Sequence, residues 1–199
     1  MRIRPLILLA MLPILPGCSV VQSENPLSPP GAALPDKRLE GLWSEKVGKD
    51  DFGYVFITYG ARGGEGSIME FDKNGSGGIV TASYKFFVTR TSRHAYMNVS
   101  DGVTSDESTF PVGQRGTYSF AEYHFTWLGR MVYSMVGGEA IAKAVGEGKL
   151  KGVLKRDKNR NIDLILLSDT SKHMLDFIES SKPADVYEGT TKLTRVGGP

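Results

Sequence analysis

Cys18 is the only cysteine in a chain of 199 residues. Its thiol is a nucleophile, but a lone cysteine forms no internal disulfide and no Cys-rich zinc site. The histidines are His94, His124 and His173. Glu122 and His124 stand two apart, so on a strand they share a face and two metal ligands could converge. A polar, outward strand face explains the same spacing, and no His-Glu-x-x-His supplies a third ligand. His173 falls early in a helical stretch and reads as solvent-facing. Asp72, Asn74 and Ser76, followed by Gly77 and Ile79, occupy the early positions of a calcium loop. Position 12 of that loop is Ser83, where a bidentate glutamate is needed, and a plain hairpin turn is the competing reading. Asp157-Lys158-Asn159-Arg160-Asn161 repeats the pattern with two cations in the turn. The chain has no Gly-x-Ser-x-Gly elbow, and Gly148-Lys149 has Lys143 where a phosphate loop needs its first glycine. The expectation is a noncatalytic protein with no cofactor and no metal.

Position gives Cys18 its meaning. Arg2 and Arg4 precede an apolar run, Leu6 to Leu15, broken only by Pro13. A basic start and a short apolar middle form a secretory signal peptide, and the run is well short of the ~20 residues that span a bilayer. It ends in Leu15-Pro16-Gly17-Cys18. This segment resembles a bacterial lipoprotein precursor: Leu15, Gly17 and Cys18 match the lipobox, and Pro16 stands where that family has a small residue. The resemblance implies that the Cys18 thiol is acylated, that the chain is cut before it, and that the new amino terminus is acylated too. Each buried methylene of such an anchor adds about 0.8 kcal/mol of membrane affinity. Ser19, rather than Asp, implies an outer-membrane address facing the periplasm. The alternative is an ordinary buried cysteine in an uncleaved anchor.

Residues 19–38 carry Pro26, Pro29, Pro30 and Pro35 and no aromatic residue. That composition predicts an extended tether, at roughly 3 Å per residue, with no core of its own. The expected division is a signal peptide over 1–17, a lipidated Cys18 and Pro-rich tether over 18–38, and one β-rich domain over 39–199.

Within that domain Gly53–Tyr59, Ser67–Phe71, Ile79–Arg90, His94–Val99, Tyr118–Trp127, Met131–Val136 and Val186–Val196 read as strands. Val80, Ala82, Tyr84, Phe86 and Val88 alternate with polar residues, the period of a half-buried strand. Asp101–Thr117 reads as a long polar loop. Gly138–Gly146 is Ala-rich and helical, and a second helix opens at Ser168–Ser171 and stops at Lys182-Pro183. Leu150–Lys155 and Ile162–Leu167 form a hairpin. The expected fold is mainly β: an antiparallel barrel or sandwich of about eight to nine strands with two short helices.

Gly41-Leu42-Trp43 heads the first strand of that domain, and Arg195 lies on its last. This pairing resembles the calycin superfamily of lipocalins and fatty-acid-binding proteins. It implies that Trp43 lies across the closed end of a barrel with Arg195 packed on it, a cation–π contact worth about 0.5–2 kcal/mol. The other reading is an ordinary core tryptophan and a surface arginine. Tyr54, Phe56, Tyr59, Tyr84, Phe86, Tyr123, Phe125 and Trp127 either line a pocket for an apolar ligand or fill the interior.

Charge narrows the partners. Lys and Arg number 24 against 22 Asp and Glu, a formal +2. Arg2 and Arg4 account for that excess, so the remainder has no net pull toward nucleic acid or anionic lipid. The expected partners are the membrane, through the lipid anchor, and either a small apolar ligand or an envelope protein. Nucleic acid is not among them.

Overall fold

The computed structural model describes residues 20–46, 52–60, 64–73, 79–104 and 116–197. In chain order these form β1 (Val20–Ser23), β2 (Gly41–Lys46), β3 (Phe52–Tyr59), β4 (Glu65–Lys73), β5 (Ile79–Arg90), β6 (Ala95–Thr104), β7 (Tyr118–Phe125) and β8 (Met131–Val136). There follow α1 (Gly138–Gly146), β9 (Gly152–Arg156), β10 (Ile162–Leu167), α2 (Ser171–Ser180), α3 (Pro183–Val186) and β11 (Tyr187–Arg195). Strands β2 to β8 run as an antiparallel meander, β11 lies between β8 and β2, and the order is β6-β5-β4-β3-β2-β11-β8-β7. A further pairing of β6 with β7 closes this ring of eight strands into a barrel. Closure removes the free edges that an open sheet would expose.

Alternation makes the barrel interior. Trp43, Ile57, Ile68, Phe86, Val88, Met97, Tyr123, Met131 and Leu193 are all buried in one cluster. A second cluster lies outside the barrel wall. There Val21, Ile141, Leu150, Ile165, Met174 and Ile178 pack on Tyr96, Phe120 and Val136, the outward residues of β6, β7 and β8. Helix α1 buries Ile141, Ala142 and Ala144. Helix α2 starts at Thr170, whose hydroxyl accepts the His173 N–H, and buries Met174 and Ile178. Pro183 opens the short α3 at a position where its missing N–H costs nothing.

Three expectations need correction. From Val20 onward the segment expected as a tether over 18–38 is packed on the barrel, and the folded domain includes residues before 39. Val20 to Ser23 pair in parallel with Leu164 to Leu167 of β10, and Ser23 also pairs with Tyr118 of β7. Leu27 is buried and donates its N–H to Asn98 Oδ1 at 2.7 Å, while the Ser28 and Thr89 hydroxyls meet at 2.6 Å. The prolines sit in extended and 3-10 backbone, where no ladder hydrogen bond is asked of them, and Leu27 and Leu39 supply the burial. Secondly, the loop expected over 101–117 starts later: β6 continues to Thr104, opposite Ala82, because the twelve-residue β5 offers it a partner. Thirdly, the described residues hold three α-helices rather than two, since the stop at Pro183 is also a start. Residues 1–19, including the expected signal peptide, Cys18 and Ser19, lie outside the described residues.

Candidate functional site

The barrel interior has two unlike halves. One end is closed by the segment that leads into β2. Asp36 caps a 3-10 turn, Lys37–Leu39, by accepting the Arg38 N–H, and Leu39 drops fully buried into the barrel. The Trp43 indole N–H donates to Leu39 O at 2.8 Å. Arg195 is paired with Trp43 across the β2–β11 ladder, and its guanidinium lies 4.5 Å from the indole ring centre. The same guanidinium donates to Glu40 O and Arg38 O, each at 2.6 Å. The structure therefore brings Trp43 and Arg195 together, with the plug backbone as the third party. Gly41 makes room for this. Its φ is +125°, and a Cβ there would stand 2.7 Å from Arg195 Nη1.

Asp36 anchors the plug from below. Its carboxylate accepts from Arg38 Nε at 2.9 Å and Nη2 at 2.8 Å, from the Tyr123 hydroxyl at 3.0 Å, and from Arg90. Its own N–H donates to the Tyr59 hydroxyl at 3.0 Å. Burial alone would raise the Asp36 pKa; the hydrogen bonds from Arg38 and Tyr123 and the charge of Arg90 outweigh it and hold the pKa at about 2. Burial pushes the Tyr59 hydroxyl up to about 12, and burial with the Asp36 charge pushes Tyr123 higher still. These contacts tie the plug to the barrel wall at this end. In the sequence Asp36 falls in the Pro-rich stretch whose composition predicts a tether. The available signal was local: an Asp two residues before Arg38 and three before an isolated leucine, as at a capped turn.

The other half is looser. By strand alternation from the buried Trp43, Ile57, Ile68, Phe86, Met97 and Met131, the inward side chains here are Glu45, Val55, Glu70, Tyr84, Val99, Tyr133 and Met135. Val55, Tyr84, Val99 and Tyr133 are only partly buried against the barrel core, and Met135 is 36% exposed. The β2–β3, β4–β5 and β6–β7 connections leave from this end, and their residues 47–51, 74–78 and 105–115 lie outside the described residues. The candidate site is thus a mainly apolar inner wall with two carboxylates among its residues. That composition suits a small, largely apolar guest with a few oriented polar contacts.

The aromatic set divides by position. Tyr59, Phe86 and Tyr123 fill the closed half, Tyr84 lies in the half away from the plug, and Phe125 is half-buried beside Trp43. Tyr54 and Phe56 point outward instead, 41% and 42% exposed, with Met69 opposite Phe56 at 40%. Trp127 is 92% exposed, because β7 ends at Phe125 and the tryptophan sits in the following turn.

The residues spaced like metal ligands make other contacts. Glu122 meets His94 Nδ1 at 2.6 Å, and His124 is exposed. Among the described residues no group of three His, Cys, Asp or Glu side chains is placed to hold a metal ion. The Asp157 carboxylate closes its own turn, accepting the N–H groups of Asn159 and Asn161 at 2.8 Å each. Of the calcium-like pattern, residues 74–78 lie outside the described residues. His173, in the first turn of α2, places its Nδ1 2.9 Å from the Asp169 carboxylate.

Fold and site together define an eight-stranded antiparallel barrel, plugged at one end by its own chain and carrying a helical layer on one side. No family model, no curated protein and no solved structure matches this chain. No described helix is long and apolar enough to cross a membrane.

Proposed function

We propose that the protein is a lipid-anchored bacterial envelope lipoprotein whose noncatalytic, lipocalin-like barrel binds a small apolar molecule in the half of its interior away from the plug. The observation that carries the binding role is the asymmetry of the interior: tight packing at the Trp43 end and half-buried Val55, Tyr84, Val99, Tyr133 and Met135 at the other. Fold alone assigns no function, so the argument rests on that inner wall. The anchor rests on Leu15-Pro16-Gly17-Cys18 behind a basic and apolar leader, with Ser19 favouring the outer membrane. The Gly41-Leu42-Trp43 and Arg195 arrangement supports the calycin likeness.

A second reading, a structural lipoprotein that holds an envelope protein, is favoured by the outward Tyr54, Phe56 and Met69 on neighbouring strands. One experiment separates the two. A fluorescent fatty acid should bind the purified protein saturably, and Val99→Trp should weaken it about tenfold, roughly 1.4 kcal/mol, with little change in melting. Absence of saturable binding to the wild type, or an unchanged affinity in the variant, removes the ligand reading and leaves the partner one.

A further inference from the structure

We infer that the tip of the β9–β10 hairpin is a membrane contact, lying against anionic lipid headgroups and fixing how the anchored barrel sits on the bilayer. The inference rests on the lipid-anchor reading of Cys18 and adds to it the face of the protein that the anchor brings down.

The first support is register. β1 runs parallel to β10, and Val20 pairs with Leu164, two residues beyond the start of β10 at Ile162. Paired strands lie about 4.8 Å apart. Two residues of chain reach at most roughly 7 Å, so an acylated Cys18 is held beside this hairpin and cannot stray far from it. A free tether over 18–38 would have uncoupled the anchor from any particular face; the β1–β10 pairing couples them.

The second support is charge. Lys155, Arg156, Lys158 and Arg160 are all exposed at the tip. Among the described residues none of the four forms an ion pair. The hairpin carries two carboxylates, Asp157 and Asp163, and Asp157 is committed to the backbone N–H groups of the turn. Arg156 Nη1 donates to Arg160 O at 2.8 Å across the turn, which fixes the tip as one unit. Arg160 takes a left-handed φ of 69° there, so the turn is tightly shaped. A preformed cationic tip loses little freedom on meeting a surface. The molecule beyond its signal segment is formally neutral, so this attraction is local and orients the barrel rather than driving general adhesion.

Each basic residue close to an anionic surface strengthens binding about fivefold, so the four together act by roughly 600-fold when all engage. The occupant we assign is the lipid headgroup, because the anchor delivers the tip to a bilayer and to no other phosphate source.

The test uses the full-length protein purified from its membrane and reconstituted in vesicles of phosphatidylcholine, with or without phosphatidylglycerol. An environment-sensitive fluorophore is attached at Asn159→Cys, an exposed position, and a quencher is carried on lipid headgroups. The expected result is about twofold stronger quenching in the anionic vesicles, abolished by high salt and by Lys155→Gln, Arg156→Gln, Lys158→Gln and Arg160→Gln combined. The wild-type comparison of lipids and salt stands even if the combined variant folds poorly. Equal quenching in both vesicle types overturns the inference. So does displacement by inorganic phosphate beyond that of chloride at matched ionic strength, which would make the tip a free-phosphate site. Mass spectrometry of the same sample reports acylation. An unacylated Cys18 takes down the anchor reading and this inference with it, whereas an acylated Cys18 with equal quenching takes down the inference alone.

Discussion

At the level of single residues, Asp36 holds the barrel's closed end. Its partners Tyr59, Arg90 and Tyr123 lie 23, 54 and 87 positions away in the chain. Such a meeting leaves no local trace in the sequence, and so the residue was invisible there. Gly41, Trp43 and Arg195 were visible because their types are unusual and their positions are the first and last strands of the ring. The Asp36 pKa falls from 3.8 to about 2 on folding, so the folded state favours the charged carboxylate. That stabilisation is complete above the ordinary pKa near 4 and is lost as pH drops from about 4 to 2. Its size is about 2 kcal/mol, from roughly 1.4 kcal/mol per pKa unit on a residue only 4% exposed. Chemical unfolding across that pH window should therefore show a loss that Asp36→Asn lacks. The variant should also be less stable at neutral pH, by about 2 kcal/mol, because the amide lacks the charge that Arg38 and Arg90 favour, while those two arginines are exposed enough to be solvated without it. Parallel wild-type and variant curves through that window would mean that Asp36 does not titrate as its surroundings demand.

Among the elements, the strands with one buried face were legible and the segments that cover them were not. In β5 the period of two placed Ala82, Phe86 and Val88 inside. It could not foresee that Phe87 and Thr89 on the opposite face would be buried as well, under the N-terminal segment carrying Leu27 and Ser28. The same period, carried two residues too far, put Trp127 in the wall when β7 had already ended. Parity also separates Tyr54 and Phe56 from Tyr59 along β3, so grouping all three as one lining ignored the pleat. The N-terminal segment was misread because proline content speaks to local stiffness and not to what a single leucine touches. Leu27→Ala tests that element directly. A side chain on a tether would be neutral to lose, whereas this one, 2% exposed, should cost 2–5 kcal/mol as measured by chemical denaturation. A change below about 0.5 kcal/mol, the range of ordinary surface positions, would restore the tether.

For the whole molecule, the question is whether the barrel and its lateral layer are one folding unit or two. The two cores share their wall. Tyr96 points into the lateral layer and its neighbour Met97 into the barrel; Phe120 and Ala121 divide the same way. The lateral layer is also largely inserted between β8 and β11, two strands that pair in the barrel. Shared strands and an insertion inside the ring argue for one cooperative transition. The chain carries its own pair of probes. Trp43 is fully buried and Trp127 is 92% exposed, so the change in tryptophan emission on unfolding reports the barrel. Helices α1 and α2 pack in the lateral layer, so the helical circular-dichroism signal reports that layer. Ile165, fully buried there, gives the perturbation. Ile165→Ala should lower stability by 2–5 kcal/mol and move both signals together, by about 2–4 °C for each kcal/mol in a chain of this size. Were the helical signal to melt first while Trp43 emission kept its wild-type midpoint, the layer would be a separate unit docked on an independently stable barrel. The β1–β10 pairing would then open with that layer, since β10 belongs to it, and Val20 would no longer be held beside the hairpin tip.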